Sequence, residues 1–425
     1  MKESGIPWIP VIPSGWEVEK GKNILSLQKR PVRDTDEVVT CFRDGEVVLR
    51  SERRTDGFTM SDKEIGYQGI NKGDIVIHGM DGFAGSMGVS KSTGKGSPVL
   101  VVCTPKYDAV PQYLIYYLRV LAQMNVFVAL ATGIRERSCD LRWNKIADLQ
   151  FIMPSTEEQQ KIADFIDSKC GEIDEAIALQ EEFIEELKAY KQSVITEAVT
   201  RGLNPNVKLK DSGIDWIGKI PQGWRTKKLK FSCQLYGRIG FRGYTADDLV
   251  PEGEGAITLS PTNMDGIMLD FSKCTYLKWD KYYESPEIMV KNGDVLLVKT
   301  ASVGKCSYVE GLPMETTVNP QIMVLKYHKD NAKYIAYMFQ TPLGTYYIDT
   351  TKGGSTIYTI SQEKIGNYEF PFPTLSEQQQ IVDYLDNKCA EIDSLIAIKQ
   401  QKIEELKDYK KSIIYEYVTG KKEVK

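Results

Sequence analysis

The stretch EEQQKIADFIDSKCGEIDEAIAL, Glu157–Leu179, decides the fold, because the chain repeats it as SEQQQIVDYLDNKCAEIDSLIAI, Ser376–Ile398. A second repeated stretch opens each half, as PWIPVIPSGWEV from Pro7 and as DWIGKIPQGWRT from Asp215. Between these stretches the two halves look unrelated. Each half therefore joins a preserved frame to a varied insert, an organisation typical of a protein with two different recognition surfaces on one repeated scaffold.

The later repeated stretch predicts a long helix in each half. Both copies begin with a proline followed by hydroxyl and carboxylate residues, which is a helix start signal. Apolar residues then recur with alternating steps of four and three, the spacing that pairs helices in a coiled coil. The predicted seam consists of Ile173, Ile177, Ile184 and Leu187 in the first helix and Ile392, Ile396, Ile403 and Leu406 in the second.

Polar residues interrupt this seam at matching places, Gln180 with Lys399 and Lys191 with Lys410. Such residues can fix the register and orientation of paired helices. The alternative is that each helix is an ordinary surface helix packed on its own domain. Cys170 and Cys389 also fall on the seam, where we interpret them as small buried hydrophobes.

Composition limits the class of protein. A chain of 425 residues, 42% of them hydrophobic and 26% charged, can bury more than one core. It contains no apolar run of the roughly 20 residues that span a bilayer. The start, MKESGIPWIP, lacks the apolar segment of a secretion signal, so we expect a cytoplasmic protein.

Metal and catalytic sites are not expected on this chain. Its 8 cysteines form no CxxC pair, and only 2 histidines are available, which disfavours zinc binding and histidine-dependent catalysis. No G-x-x-x-x-G-K-[ST] phosphate-binding loop is present, since SVGKCS at Ser302–Ser307 lacks the earlier glycine. We therefore predict no catalytic residue, no metal ligand and no cofactor.

The repeat divides the chain into four segments. We predict one mixed domain over 1–152, a long helix within 153–202, a linker and second mixed domain over 203–372, and a second long helix within 373–425. The chain has a net charge of −4, and its excess of acidic residues lies mainly in segment 153–202, which has 5 basic and 12 acidic residues. The predicted fold class is α+β with an internal pseudo-two-fold repeat.

Inside the inserts, short runs rich in β-branched residues alternate with glycine turns. INKGDIVIHG at Ile70–Gly79 and VKNGDVLLVK at Val290–Lys299 match as a turn followed by a strand, so the inserts are expected to share a fold. One helix is predicted late in each insert, at Pro111–Leu130 and at Ala332–Gln340.

Arginines indicate nucleic-acid contact. In the first insert they crowd two turn regions, and in the second they alternate with tyrosines around glycines. Arginine is the side chain that most often reads guanine edges, and arginine or lysine on phosphates positions a complex. A solvated charged loop explains any one cluster equally well. The predicted DNA contacts are Arg43, Arg50, Arg53, Arg54, Arg135, Arg137, Tyr236, Arg238, Arg242 and Tyr244.

The frame resembles the specificity subunit of type I restriction-modification enzymes. The likeness lies in GIDWIGKIPQGW, in the P-x-x-x-E-Q-Q opening of both helices, in EID before the heptads and in the LKxYKxSxIxExVT close from Leu187 and Leu406. It covers nearly the whole chain.

This resemblance implies two target recognition domains that each read one half of a split DNA sequence, separated by two helices paired as an antiparallel coiled coil. It also implies a non-catalytic chain. Methyltransferase subunits would dock on it with S-adenosylmethionine, and restriction subunits would add ATP- and magnesium-dependent cleavage to the DNA adenine methylation of the complex. The competing interpretation is a coiled-coil scaffold that binds partners without reading DNA.

Overall fold

The structure is a computed structural model that describes residues 1–53, 65–130, 141–238, 242–354 and 357–424. Through the first long helix the elements are β1 (Lys2–Ile6), β2 (Ile9–Ile12), β3 (Glu17–Lys20), α1 (Gly21–Ile24), β4 (Leu25–Leu27), β5 (Val39–Cys41), β6 (Val47–Leu49), α2 (Arg50–Arg53), β7 (Gln68–Ile70), β8 (Ile75–His78), β9 (Met87–Val89), β10 (Gly94–Gly96), β11 (Leu100–Pro105), α3 (Pro111–Gln123), α4 (Val126–Ala129), α5 (Trp143–Asp148), β12 (Gln150–Met153) and α6 (Thr156–Arg201).

The elements that follow are β13 (Leu209–Asp211), β14 (Lys219–Pro221), β15 (Arg225–Lys228), β16 (Gln234–Gly237), β17 (Leu249–Val250), β18 (Gly255–Leu259), β19 (Met264–Asp265), β20 (Met268–Leu269), β21 (Thr275–Lys278), α7 (Trp279–Tyr283), β22 (Val295–Val298), β23 (Cys306–Tyr308), β24 (Thr316–Val318), β25 (Ile322–Lys326), α8 (Ala332–Phe339), α9 (Pro342–Thr351), α10 (Gln362–Gly366), β26 (Glu369–Phe372) and α11 (Leu375–Val418). Short 3₁₀ turns lie at Gly82–Ala84, Leu229–Phe231, Ala246–Asp248, Pro261–Asn263 and Pro286–Ile288.

The chain forms two compact units. Unit 1 comprises Met1–Glu181 with Gln400–Lys425, and unit 2 comprises Glu182–Lys399. Both unit boundaries fall inside the long helices α6 and α11, so each unit contains a part of both helices. The four-segment division read from the sequence treats those helices as separate segments and stays a prediction.

Each unit contains a four-stranded antiparallel sheet of the same strand order. In unit 1 the order is β4-β11-β8-β9, and in unit 2 it is β16-β25-β22-β23. The matched sequences INKGDIVIHG and VKNGDVLLVK supply β8 and β22, which pair with two neighbours each. A helix, α3 or α8, contributes its buried tyrosines to the core beside each sheet.

These elements confirm the mixed α/β content and the predicted strands and late helices, with ends shifted by one to a few residues. Pro111–Leu130 is divided into α3 and α4 by Asn125, which has a left-handed backbone with φ of 58°. Near the start of segment 203–372, where a linker is predicted, Leu209–Asp211 instead forms β13 and pairs with β14.

The inserts differ outside the shared sheet. Unit 1 has the β5–β6 hairpin, in which Val39 faces Leu49 and Cys41 faces Val47. Unit 2 has a second four-stranded sheet in the order β17-β21-β18-β24, whose last pair is parallel. A separate apolar cluster lies beside the hairpin of unit 1 and another beside the second sheet of unit 2. The residues of each varied insert therefore form a small core of their own.

A buried glutamine explains the repeated proline–glutamine opening of both long helices. In unit 1, Gln159 accepts a hydrogen bond from the backbone of Val110 at 3.0 Å and donates to the carbonyl of Pro154 at 2.8 Å. Gln378 of unit 2 does the same with Asn331 at 2.7 Å and Pro373 at 3.0 Å. The motif therefore satisfies backbone groups that would otherwise be buried without partners.

A buried tyrosine makes a second repeated contact. The Tyr113 hydroxyl lies 2.9 Å from the carbonyl of Ile152 and 3.4 Å from that of Val418, near the end of α11. In unit 2 the Tyr334 hydroxyl lies 3.0 Å from the carbonyls of both Pro371 and Val199, near the end of α6. Each unit thus uses the final turns of a long helix to complete its core.

Ion pairs join the two long helices within each unit. In unit 1 Lys410 contacts Asp174 at 2.6 Å, and in unit 2 Lys191 contacts Asp393 at 2.6 Å. These lysines are the polar seam residues noted in the sequence. In unit 1 the centroids of the Phe165 and Tyr417 rings also lie 4.4 Å apart. The start of α6 therefore faces the end of α11 in this unit.

All eight predicted seam residues lie on the sheltered side of the helices. Ile173, Ile184, Ile392 and Ile403 are buried, and the other four are half-buried. Cys170 and Cys389 are buried as well, and burial raises the pKa of both thiols. A buried, protonated thiol acts as a small apolar group, in agreement with the packing role inferred for these cysteines.

Candidate nucleic-acid interface

Three of the predicted arginines line one cleft in unit 1, which we call the arginine cleft. Arg43 follows strand β5, Arg50 begins α2 and Arg53 ends it. The cleft encloses 530 Å³ and is lined by Thr40, Cys41, Phe42, Arg43, Asp44, Arg50, Arg53, His78, Asp81 and Ser86. Residues far apart in the sequence, on the hairpin and at the end of β8, thus meet at one surface.

The hairpin turn before β6 positions the first arginine. Gly45 has a φ of 93°, a left-handed conformation that favours glycine. A Cβ atom at this position would lie 2.5 Å from the Arg119 guanidinium, so the turn also requires a residue without a side chain. The turn closes with a hydrogen bond from the backbone of Phe42 to Glu46 at 2.9 Å.

Carboxylates hold two of the cleft arginines. Arg53 pairs with Asp44 and, at 3.1 Å, with Glu46, while Arg43 pairs with Asp81 at 3.2 Å. The hydrogen bond from Arg53 lowers the pKa of Asp44. Because exposed ion pairs contribute only about 0–1 kcal/mol, a phosphate or guanine edge can replace these carboxylates at small cost.

Apart from Arg50, the remaining polar groups of the cleft are neutral. Arg50 donates through Nε to the Thr40 hydroxyl at 3.2 Å. Burial lowers the pKa of His78, whose ring Nδ1 accepts a hydrogen bond from the backbone of Asp81 at 3.0 Å. The cleft thus combines arginines with neutral hydrogen-bonding groups, a mixture able to contact both phosphates and base edges.

The corresponding cluster in unit 2 has a different arrangement. Arg238 is only 6% exposed, and its guanidinium donates to the carbonyls of Arg242 at 3.2 Å and Val318 at 3.4 Å. The guanidinium also lies over the Tyr244 ring, 5.1 Å from its centroid. Burial lowers the pKa of this arginine. In this arrangement Arg238 supports the loop from within.

The other predicted residues of this cluster lie around that arginine. Arg242 pairs with Glu287 at 3.6 Å, and the Tyr244 hydroxyl lies 3.3 Å from that of Thr258. The half-buried ring of Tyr236 meets Tyr327 edge to face, with centroids 6.1 Å apart. Arg54, Arg135 and Arg137 lie outside the described residues. The assignment of all these residues as DNA contacts stays a prediction.

The pattern of arginines and tyrosines does not include one cation of unit 2, Lys299. The sequence predicts only the end of a strand at this residue, which follows β22 and has Gly79 as its match in the first repeat. It is half-buried, and burial alone lowers its pKa. A residue-by-residue comparison of the two matched strands was the signal that could have identified it.

Sequence comparisons show which proteins the chain resembles. Residues 272–408 match the type I restriction modification DNA specificity domain. Across 97% of its length the chain is 24% identical to a putative type I restriction enzyme specificity subunit, MjaX, of Methanocaldococcus jannaschii, covering 95% of that protein. Over nearly its whole length the chain is therefore similar to specificity subunits of type I restriction enzymes. Specificity subunits are the non-catalytic subunits of type I systems.

Other relatives extend this result. The MjaVIII specificity subunit of the same organism is 23% identical, with 97% of this chain and 94% of that protein covered. A chain of a type I R-M system, solved to explain complex assembly and conformational transition, matches with a TM-score of 0.72. It is 16% identical, with 96% of this chain and 99% of that one covered, so this match concerns the fold alone.

The HsdS subunit of Thermoanaerobacter tengcongensis has the same fold, with a TM-score of 0.54, 15% identity and coverage of 99% and 100%. Among the described residues of this chain, no group of three or more His, Cys, Asp or Glu side chains could hold a metal ion. None of the described helices is long and apolar enough to cross a membrane.

Proposed function

We propose that this specificity subunit directs a type I restriction-modification complex to a split DNA sequence, with the insert of each unit reading one half. The repeated frame with unlike inserts carries this proposal. Matching contacts at Gln159 and Gln378 build the same support twice, whereas among the described residues the hairpin of unit 1 and the second sheet of unit 2 have no counterpart in the other unit. Two unlike surfaces on one support suit a target with two unlike halves.

The first half-site would be read at the arginine cleft. Its guanidinium groups can donate to guanine edges in the major groove, and contacts with phosphates would release counterions and make the affinity depend on salt. The second half-site would be read by the insert of unit 2.

The long helices would set the distance between half-sites as an antiparallel coiled coil. The pairs Lys410–Asp174 and Lys191–Asp393 support this orientation. Helices of 46 and 44 residues measure roughly 66–69 Å at ~1.5 Å per residue, comparable to two turns of B-DNA. Inserting one heptad in both helices should change the spacer and leave both half-site sequences unchanged; a new half-site sequence would contradict this arrangement.

Exposed apolar residues on the helices support docking of methyltransferase subunits. Leu179 and Tyr409 are 48% and 57% exposed in unit 1, and Ile398 and Tyr190 are 59% and 54% exposed in unit 2. These four are two equivalent pairs in the repeat. Methyltransferase subunits would bring S-adenosylmethionine, and restriction subunits would bring ATP- and magnesium-dependent cleavage. Tyr190→Lys with Tyr409→Lys should abolish co-purification with the methyltransferase, whereas Lys188→Glu with Lys407→Glu should not.

Methylation mapping tests the main proposal. DNA from a host that expresses this chain with its neighbouring methyltransferase subunit is compared with DNA from a host that lacks the chain. A split methylated motif that requires the chain is the expected result. No chain-dependent motif, with an active methyltransferase present, would favour a scaffold that binds partners without reading DNA.

A further inference from the structure

We propose that Lys299 donates to an acceptor atom of DNA in the second half-site and is the centre of the unit 2 reading surface. The inference rests on the proposed DNA-reading function. Lys299 lies outside the arginine-rich stretch that the sequence pattern indicated.

The first observation is the missing counter-charge. Two more deeply sheltered lysines of unit 2 have carboxylate partners: Lys326 has Asp294 at 3.4 Å and Lys333 has Asp386 at 2.8 Å. Within the part of the chain that the structure describes, Lys299 has no ion pair. Burial disfavours its charge, and no acidic group offsets that effect. A half-buried ammonium without a partner costs stability, so an external acceptor is the expected compensation.

The second observation is a notch beside the ammonium group. A Cβ atom at Gly237, the last residue of β16, would lie 3.0 Å from Lys299 Nζ and 2.9 Å from Gln362 Nε2. The absence of this side chain keeps the space between the two donors open. Glycine within a strand often marks a place where another molecule approaches closely.

Neutral hydrogen-bonding groups lie near Lys299. Gln362 is exposed, and its side-chain amide makes no hydrogen bond to a described residue. The hydroxyls of Thr300 and Thr359 lie 3.2 Å apart, and that of Thr359 donates to the carbonyl of Lys299 at 3.0 Å. One cation among amide and hydroxyl groups is suited to a phosphate oxygen or to the O6 and N7 atoms of guanine.

The third observation is the position in the shared sheet. Strands β8 and β22 occupy the same place in sheets of the same order. In unit 1 His78, the last residue of β8, lines the arginine cleft. In unit 2 Lys299 directly follows β22. The same end of the corresponding strand thus carries the candidate contact surface in each unit.

Substitution of Lys299 tests the inference. The full chain is assembled with its methyltransferase subunit, and duplex DNA binding is measured at several salt concentrations for wild type, Lys299→Met and Lys299→Arg. Lys329→Met is the matched control, since exposed Lys329 lies beyond the opposite end of the same sheet, beside the start of α8. We expect Lys299→Met to weaken binding roughly tenfold or more, Lys299→Arg to retain most binding, and Lys329→Met to resemble wild type.

Two results identify the acceptor. Equal weakening for all DNA sequences, with the salt slope reduced by about 0.9, assigns a phosphate contact. Loss of preference at one base pair of the second half-site, seen by methylation mapping, assigns a guanine edge. In either case the first half-site stays unchanged.

Thermal unfolding separates function from folding. Removing an unpaired, half-buried charge should leave the melting temperature of Lys299→Met equal to or above that of wild type. Unchanged binding and an unchanged motif in Lys299→Met would overturn the inference while leaving the proposed function intact. If wild type itself directs no split motif, the proposed function fails, and the two failures are therefore distinguishable.

Discussion

The repeated frame and the arginine clusters are two regions in which the halves of this protein can be compared, and they give opposite results. In the frame, Gln159 and Gln378 make the same buried contacts. In the inserts, Arg43 is exposed at the rim of a cleft while Arg238 is buried beneath a tyrosine. Contacts are therefore repeated where the sequence is repeated, whereas the arginines of the unlike inserts lie in unlike surroundings.

The frame glutamines should give the largest effect. Gln159→Leu or Gln378→Leu leaves a buried backbone N–H and a buried carbonyl without partners, and should each cost roughly 3 kcal/mol of unfolding free energy. Denaturant unfolding checks the value. The neighbouring exposed residues Gln160 and Gln379 provide matched controls, and similar losses from Gln160→Leu and Gln379→Leu would show that burial is not the cause.

Arg238 should behave as a core residue despite its charge. Arg238→Ala removes the support beneath Tyr244 and two hydrogen bonds to carbonyls, so we expect a loss of about 2 kcal/mol in the stability of unit 2. Unfolding followed by a probe in unit 2 measures it. If stability is unchanged and DNA binding alone falls, the buried arrangement of Arg238 is not the one that matters in solution.

Arg43 should show the reverse pattern. Arg43→Gln removes an exposed ion pair, so folding stability should change by less than about 0.5 kcal/mol. DNA binding should weaken about tenfold, or about 1.4 kcal/mol, with any change of methylated sequence confined to the first half-site. Arg33→Gln, at another arginine of unit 1, serves as the control. A changed second half-site would contradict the assignment of the cleft to the first.

The buried tyrosines should give equal and smaller losses. Tyr113→Phe and Tyr334→Phe each remove one hydroxyl that lies between two carbonyls, for an expected cost of about 1 kcal/mol in their own unit. Paired unfolding measurements compare the two variants. A large difference between them would show that the matching contacts of the frame are energetically unequal.

Histidine titration should give the smallest effect. Burial lowers the pKa of both His78 and His328, so each histidine favours the neutral form in the folded state. Their contribution is fully present above the usual value of 6.5 and is lost as pH falls below it. Unfolding measured between pH 7.5 and 5.5 should therefore show a declining free energy, and His328→Gln should flatten that decline.

The helices and strands of the frame could be predicted from the sequence because they depend on the spacing of nearby residues. Heptads, helix starts and the matched strands β8 and β22 depend on local periodicity, which one chain displays directly. The candidate contact surfaces were harder to predict, because their residues come together only when distant segments fold. Arg43 and His78 line the same cleft, and Lys299 and Gln362 both lie beside Gly237. Charge alone did not distinguish the exposed Arg43 from the buried Arg238.

The last turns of α11 impose an order on how the protein is made. Unit 2 is one uninterrupted stretch, whereas the core of unit 1 includes Ile414 and Val418, and Gly420 lies against Pro13 and Trp16. At roughly 5–20 residues per second, the ribosome needs on the order of tens of seconds after finishing the first insert to release those residues. The domain translated first is thus the domain completed last, and its apolar surface needs protection while the rest of the chain emerges.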